Sequence, residues 1–171
     1  MSTRPAFKIN GNVYVSAGIV FLRRTKHGIE YMMQQIKYDD PKWIRDWSWE
    51  DFGGKSEPKD RSIFAVAYRE CLEELNSVIS PQLLLTLLHN RKKTRRLLYP
   101  QSKYVLFLID VTDTKLDIDP KICGEMETHT GIKRHVQWLT KQQLHKEFAS
   151  NNVTPRINQR ILGKPRRVRL S

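Results

Sequence analysis

The chain has 171 residues, of which 39% are hydrophobic and 28% are charged, and these values are typical of a soluble globular domain. No apolar run approaches the roughly 18 residues of a membrane span, and the first residues lack the apolar stretch of a secretory signal. The excess of 30 Lys and Arg over 18 Asp and Glu gives a net charge of +12. This charge favours an anionic partner, for which nucleotides, RNA and acidic membrane surfaces all qualify. Since no membrane segment is visible, we expect no membrane partner.

The two cysteines indicate the cellular compartment, and the order of residues indicates the number of domains. Cys71 and Cys123 provide neither a disulfide framework nor the spacing of a metal site. This usage favours a reducing compartment, and we expect the cytoplasm, with the nucleus as an alternative because of the basic clusters. One domain without internal repeats is predicted over residues 1–163, followed by a mobile basic tail over residues 164–171.

Strand patterns dominate the first third of the chain. Residues 13–23 are apolar and β-branched, and residues 29–36 form a partner strand after a turn over residues 25–28. A break over residues 39–41 ends the second strand, and a short strand over residues 47–52 leads to the box described below. These patterns predict two paired strands and a third, shorter one.

Helices and strands follow one another in the rest of the chain. A helix is predicted over residues 61–75 because Ile63, Ala67, Cys71 and Leu75 form one apolar stripe. The later elements are strands over residues 83–88, 104–111 and 136–139, a helix over residues 140–148 with Thr140 as its N-cap, and a last helix over residues 155–162. This order predicts an α/β fold in which a mixed β-sheet lies inside an α/β/α sandwich.

An acidic face on the first predicted helix is the most informative feature of the chain. Glu70, Glu73 and Glu74 occupy positions i, i+3 and i+4, which share one side of a helix. Like charges at this spacing repel one another by roughly 0.2–0.5 kcal/mol per pair, and a divalent cation would remove the repulsion. Mg²⁺ and Mn²⁺ are hard ions that prefer oxygen ligands. The alternative is an amphipathic helix whose acidic face is simply solvated.

The run over residues 54–76 resembles the Nudix box, the signature of the Nudix hydrolase family. Residues 69–74 match the Arg-Glu-apolar-x-Glu-Glu half of the box residue by residue, and Gly54 matches its first glycine. Asp60 stands where the box has its first glutamate, one extra residue follows it, and Asn76 replaces the last glycine. Asn tolerates the left-handed backbone conformation, so we expect Asn76 to end the helix as glycine does.

The resemblance implies a fold, an activity and a set of site residues. The fold is the Nudix-type α/β/α sandwich with a mixed sheet. The activity is cleavage of the diphosphate linkage of a nucleoside diphosphate derivative by attack of water on phosphorus, with two or three Mg²⁺ or Mn²⁺ ions. The implied metal ligands are Glu70, Glu73, Glu74 and the carbonyl of Gly54, and Arg69 is the arginine that orients the carboxylates.

The general base stays open between a glutamate of the box and an acid in a later loop. Glu125 and Glu127 precede the predicted strand that carries Trp138, and either would be able to complete the metal site or to take the proton from water. We select Glu127 as a catalytic residue. The alternative is that both are solvated loop acids.

Two residues near the box are candidates for substrate binding. Trp49 is one of three tryptophans that precede the box, and it is a candidate for stacking on a base. Lys55 follows the box glycine and is a candidate for a phosphate contact.

A basic run over residues 91–96 contains five cations and is predicted as a loop between two strands. One interpretation is a clamp on polyphosphate or RNA, and the other is a solvated hairpin tip. The residues selected from the run as substrate contacts are Arg91, Lys93 and Arg95. The net charge of +12 is the chief argument for adding RNA 5′ ends, including capped ones, to the substrate classes. A Nudix-fold module that binds nucleotide or RNA without hydrolysis is the alternative function.

Overall fold

A mixed β-sheet of seven strands forms the centre of the part of the chain that the structure, a computed structural model, describes. The described residues are 4–36, 48–116, 118–150, 157 and 161. The strands are β1 (Phe7–Ile9), β2 (Asn12–Tyr14), β3 (Ser16–Thr25), β4 (Gly28–Ile36), β5 (Ser48–Glu50), β6 (Phe52–Lys55), β7 (Thr94–Tyr99), β8 (Tyr104–Asp110) and β9 (Arg134–Thr140). The helices are α1 (Ile63–Glu74), α2 (Pro81–His89) and α3 (Lys141–Ala149), and a 3-10 turn covers Pro120–Cys123.

The long strand β3 joins the parts of the sheet because it has neighbours on both of its edges. It pairs antiparallel with β4 and β6 and parallel with β8, and β8 pairs antiparallel with β7. β4 also pairs with β5 and β9, whereas β1 and β2 form a separate hairpin. Parallel and antiparallel pairs in one sheet confirm the predicted mixed topology.

Apolar side chains on the two faces of the sheet build two cores. Neighbouring strand residues point to opposite faces, so Phe107 packs with Val66 of α1 in one core, and Leu106 packs with Leu144 of α3 in the other. The first core also holds residues of α2, and the second holds Ile157. Helices on both faces confirm the α/β/α sandwich.

Local signals define both ends of α1, and the sequence predicted the one at Asn76. Ser62 is the N-cap, and its hydroxyl accepts a hydrogen bond from the amide of Ala65 at 3.1 Å. After the helix, Asn76 has a φ of +51°, the left-handed conformation expected for a residue that replaces glycine. The predicted N-cap of α3 is also confirmed, because Thr140 and Gln143 form a capping box.

The predicted strand over residues 83–88 is wrong, because this segment is the helix α2. Ser80 caps the helix, Pro81 lies in its first turn, and Leu84 and Leu88 are buried one turn apart. Since residues 91–93 form a turn and β7 begins at Thr94, the basic run joins a helix to a strand and does not form a loop between two strands.

Of the remaining predicted elements, some lie in the described residues and others lie outside them. The turn over residues 25–28 is confirmed, since Thr25 pairs with Gly28. The predicted strand over residues 13–23 is divided between β2 and β3, because the backbone of Val15 bonds to Lys103 and Ser56 instead. Several predicted features lie outside the described residues, namely the break at residues 39–41, Trp43, Trp47, most of the helix over residues 155–162 and the basic tail. None of the helices in the described ranges is long and apolar enough to cross a membrane.

Candidate active site

The absence of a side chain at Gly54 lets a carboxylate of α1 lie directly against β6. β6 pairs with β3, where Gly54 is opposite Ala17, and α1 packs over both strands. A Cβ atom at Gly54 would lie 2.5 Å from Oε1 of Glu70, so a larger residue there would displace that carboxylate. Burial raises the pKa of Glu70, and although Arg69 opposes the shift, the charge of Glu73 adds to it.

Glu74 is the most constrained carboxylate of the box. Its Oε2 atom is buried and accepts no hydrogen bond from any described residue, while the side chain of Gln34 donates to the carboxylate. Burial raises the pKa of Glu74 well above the usual value, against the effect of the bond from Gln34, and the charges of Asp51, Glu70 and Glu127 raise it further. A buried acceptor without a donor, among other acids, is an arrangement that a cation would stabilise.

Arg69 connects the carboxylates of α1 to the loop that precedes the helix. Its Nε and Nη2 atoms donate to the two oxygens of Asp60 at 3.2 and 3.0 Å, and Nη2 also donates to the carbonyl of Lys55 at 2.9 Å. Its Nη1 atom lies 2.9 Å from both Oε1 of Glu70 and Oε2 of Glu73. Burial alone would raise the pKa of Asp60, but the hydrogen bonds from Arg69 outweigh it and hold that pKa below its usual value. One guanidinium therefore neutralises a buried acid and holds two glutamates of the box.

Asn76 binds the loop that carries Glu127. Its Nδ2 atom donates to the carbonyls of Cys123 and Met126 at 2.9 and 3.0 Å, and its Oδ1 atom accepts from the amide of Thr128 at 2.8 Å. Two of these bonds involve the residues on either side of Glu127. Glycine, the residue of the box at this position, has no side chain to make them. The left-handed residue that ends α1 thus also attaches a second acidic segment to the helix.

Glu127 lies in a buried position beside the box. It is 8% exposed, and its Oε2 atom accepts a hydrogen bond from the hydroxyl of Thr130 at 2.7 Å. Arg134 of β9 is 3% exposed, and burial lowers the pKa of its guanidinium, whereas the nearby charges of Glu74 and Glu127 oppose that shift. Its Nη2 atom donates to the carbonyl of Cys123 at 2.9 Å. Glu127 is therefore part of the acidic cluster and not a solvated loop acid, whereas Glu125 is exposed.

Asp51 is an acid of the site that sequence reasoning missed. It precedes β6, is 2% exposed and accepts a hydrogen bond from the hydroxyl of Tyr104. Its charge is among those that raise the pKa of Glu74. The available signal was an acidic residue directly before an apolar residue and two glycines. That signal does not show that Asp51 is buried beside Tyr104. Gly18 and Gly53, which make room for the pair, are brought together only by strand pairing.

The donors in the cluster fit a hard divalent cation. The carboxylates of Glu70 and Glu74 and the carbonyl of Gly54 are oxygen donors, and the unpartnered Oε2 atom of Glu74 is an acceptor that such an ion would satisfy. Among the residues that the structure describes, no group of three or more His, Cys, Asp or Glu side chains is close enough to hold a metal ion by itself. Water and backbone oxygens would have to complete the coordination.

The predicted substrate contacts are not gathered at this cluster. Lys55 is exposed at the end of β6, next to Gly54. Trp49 is 5% exposed and belongs to the core under α3, so its ring is covered and does not offer a stacking surface. The Nζ atom of Lys93 donates to the carbonyl of Thr112 at 2.8 Å, and Arg95 lies exposed on the edge strand β7.

The family model for the NUDIX domain matches residues 14–157. No curated protein matches the sequence.

Similar solved structures come from several organisms. An Ap4A hydrolase of C. elegans in a binary complex is 19% identical with a TM-score of 0.47, over 80% of this chain and 89% of that chain. The NUDIX domain of NrtR from Shewanella oneidensis, complexed with ADP ribose, is 11% identical with a TM-score of 0.47, over 82% of this chain and 79% of that chain. MERS1 of T. brucei in complex with RNA is 14% identical with a TM-score of 0.45, over 81% of this chain and 55% of that chain.

Proposed function

The chain belongs to the NUDIX domain family. From that premise we propose that it is a pyrophosphohydrolase, which cleaves the diphosphate linkage of nucleoside diphosphate derivatives with the help of divalent cations. The observation that carries this proposal is the buried carboxylate of Glu74. It has an unpartnered oxygen, a raised pKa and three acidic neighbours. Such a group is costly in a purely structural role and useful as a ligand.

We propose that two or three Mg²⁺ or Mn²⁺ ions bind at this site and that Glu70, Glu74 and the carbonyl of Gly54 are among their ligands. When bound, these ions neutralise phosphate oxygens and lower the pKa of water at the site. Glu73 would serve chiefly as the partner of Arg69, since its Oε2 atom lies 2.9 Å from that guanidinium and its side chain is 23% exposed. Arg69 is then a positioning residue for the box carboxylates.

Glu127 is our candidate for the general base. It is an acid near Glu74, and the hydroxyl of Thr130 and the bonds of Asn76 restrict its position. A carboxylate held in this way accepts a proton from water with little reorganisation. Lys55, exposed beside Gly54, is retained as a contact to a substrate phosphate.

The substrate class we propose is a nucleotide with a diphosphate linkage, and RNA 5′ ends are the variant that the net charge of +12 favours. The test is a Mg²⁺-dependent turnover screen with dinucleoside polyphosphates, nucleotide sugars, nucleoside triphosphates and capped RNA, with products identified by mass. Release of a nucleoside mono- or diphosphate by the wild type is the expected result.

Two isosteric variants sharpen this screen. Glu74→Gln is expected to lower kcat by orders of magnitude, and Glu73→Gln, one residue earlier on the same helix, by a smaller factor. Equal losses would contradict the different roles given to the two residues. Silence of the wild type across the panel, with RNA still bound, would favour the non-hydrolytic binding module.

A further inference from the structure

A cavity lies at the other end of α1, away from the acidic cluster. Its volume is about 690 Å³, and Phe64, Phe107, His89, Arg91, Thr94 and Arg96 are among its lining residues. Phe64 precedes Glu70 by six residues, which corresponds to ~9 Å along the helix and about 120° around it. We refer to this space as the α1–α2 cavity. It is therefore separate from the proposed hydrolytic site, although α1 contributes to both.

Stacked aromatic rings form one side of the α1–α2 cavity. The ring of Phe64 stacks on the ring of His89 with centroids 4.9 Å apart and an interplanar angle of 18°. On the inner side, Phe64 also packs against Phe107 of β8, with centroids 4.9 Å apart. His89 ends α2 and is exposed. The core thus holds an exposed ring in a fixed orientation, as a stacking surface requires.

Two arginines without acidic partners stand beside these rings. Arg96 pairs with Phe107 across β7 and β8, so both side chains point to the face of the sheet that α1 covers. Arg91 lies in the turn before β7, and both arginines are exposed. Neither makes an ion pair or a side-chain hydrogen bond with any residue in the described ranges, and none of the described lining residues is acidic.

The strand alternation separates these residues from the other cations of the basic run. Arg95 points to the opposite face of the sheet from Arg96, and the Nζ atom of Lys93 is bound to the carbonyl of Thr112. The sequence-based choice of Arg91, Lys93 and Arg95 is therefore revised here. Arg91 and Arg96 are the two cations that share a cavity.

We propose that the α1–α2 cavity binds single-stranded nucleic acid, with backbone phosphates on Arg91 and Arg96 and a base stacked on His89. Aromatic rings flanked by unpaired cations recognise single strands because every base offers a flat face and every linkage carries a negative charge. An acidic peptide would satisfy the two arginines but would leave the exposed ring unused. The combination of features therefore favours a nucleic acid strand.

The position of the cavity relates this strand to the hydrolytic site. Arg96 of β7 pairs with Phe107 of β8, Phe107 pairs with Ile19 of β3, and Ile19 pairs with Phe52 of β6. Arg96 is therefore three strand spacings from Phe52, which is two residues before Gly54. This arrangement places Arg96 roughly 16 Å from Gly54. The inference rests on the proposed function and extends it: the substrate would be the 5′ end of a strand whose later nucleotides occupy the cavity.

The test is a binding titration of the full chain with a fluorescein-labelled RNA of ten nucleotides, read by fluorescence anisotropy in EDTA so that no hydrolysis occurs. Arg96→Glu is compared with Lys141→Glu, an exposed cation on α3 at the opposite face of the sheet whose replacement changes the charge equally. Arg96→Glu is expected to weaken binding at least tenfold and to lower the slope of log Kd against log salt by about 0.7, the value for one lost phosphate contact. Lys141→Glu is expected to stay within about twofold.

A second variant separates stacking from charge. His89→Ala is expected to weaken binding about tenfold without changing the salt slope, because a base contact releases no counterion. The same titrations with a DNA strand of equal sequence show whether the sugar matters, and loss of either strand in Arg96→Glu supports the cavity. Equal effects of Arg96→Glu and Lys141→Glu would overturn the proposal. Displacement of the labelled RNA by poly-glutamate, but not by an unlabelled nucleic acid strand, would also overturn it.

The outcome is independent of turnover. A wild type that hydrolyses small nucleotides, but whose RNA binding does not respond to Arg96→Glu or His89→Ala, overturns this inference and leaves the proposed function intact. A wild type that binds RNA through these residues and hydrolyses nothing in the screen overturns the proposed function alone.

Discussion

Replacing Arg69 by methionine tests how the acidic face of α1 is held. The side chains of Arg69 and Asp60 are only 10% and 3% exposed, so the pair lies in a poorly hydrated place. Removing one partner of a buried ion pair costs about 3–5 kcal/mol, because the other charge stays buried without compensation. For a domain of this length, 1 kcal/mol corresponds to about 2–4 °C, so we expect the Tm of Arg69→Met to fall by roughly 6–20 °C.

The assay is urea unfolding of wild type and variants at pH 7 in EDTA. Asp60→Asn is the matched control and is expected to cost about 1 kcal/mol, since Arg69 keeps Glu70 and Glu73 as partners. The double variant should be more stable than the sum of the two losses predicts, because it no longer contains a buried Asp60 carboxylate that has lost its guanidinium.

The pH dependence of this loss has a definite sign. The folded pKa of Asp60 lies below its usual value of 3.8, so the stabilisation by Arg69 is present above that pH and is lost as the pH falls. The difference between wild type and Arg69→Met should therefore shrink in acid. A loss below about 1 kcal/mol at pH 7, or strict additivity in the double variant, would refute the reasoning.

The remaining predictions concern the carboxylates and the residues that support them. Because the folded pKa of Glu74 is raised, its contribution to the stability of the metal-free protein falls as the pH rises above 4.5 and through the raised pKa. Glu74→Gln should therefore melt above the wild type at pH 7 in EDTA, whereas Mg²⁺ should raise the Tm of the wild type alone, and the reverse order would contradict a buried ligand. The Tm of Gly54→Ala in EDTA should stay within a few degrees of the wild type, but Mg²⁺ should no longer raise it, because the new Cβ would displace the Glu70 carboxylate. Gly53→Ala should be less stable in EDTA, because its Cβ would meet backbone atoms of β3. Similar behaviour of the two variants would contradict the close approach of Glu70 to Gly54. Asn76→Gly preserves the left-handed cap but removes three hydrogen bonds to the loop that carries Glu127. The backbone amides of that loop should therefore exchange hydrogen faster, and kcat should fall with little change in KM. Unchanged amide exchange would show that other contacts hold the loop.

Features governed by local chemistry were predictable from the sequence. The apolar stripe of α1, its acidic face and the cap at Asn76 depend on residues within one or two helical turns, and the structure has α1 and the cap where the sequence predicted them. The caps of α3 and the turn before β4 are equally local. A local prediction that failed is α2, where a run of leucines suits both a buried strand and a helix. The capping serine and Pro81 at the start of that run favour the helix.

Features that depend on strand pairing were not predictable in the same way. Asp51 meets Tyr104, which lies 53 residues further along the chain, only because β6 and β8 flank β3. The same register decides that Arg96 shares a face with Phe107 while its neighbour Arg95 does not. Trp49 precedes the box in the sequence but is buried under α3, because β5 pairs with β4 away from α1. Strand residues such as these cannot be assigned to a site until the strand pairing is known.

The distribution of charge gives the two sites different tasks. The chain carries a net charge of +12, yet the proposed hydrolytic site gathers Asp51, Glu70, Glu74 and Glu127, where a diphosphate would be repelled in the absence of cations. Attraction of a polyanion must therefore come from cations elsewhere on the chain. Arg91 and Arg96 stand at the other end of the same helix without acidic neighbours in the cavity lining. A strand held there would keep its 5′ end close to the acidic cluster while the divalent ions supply the charge that the cluster lacks.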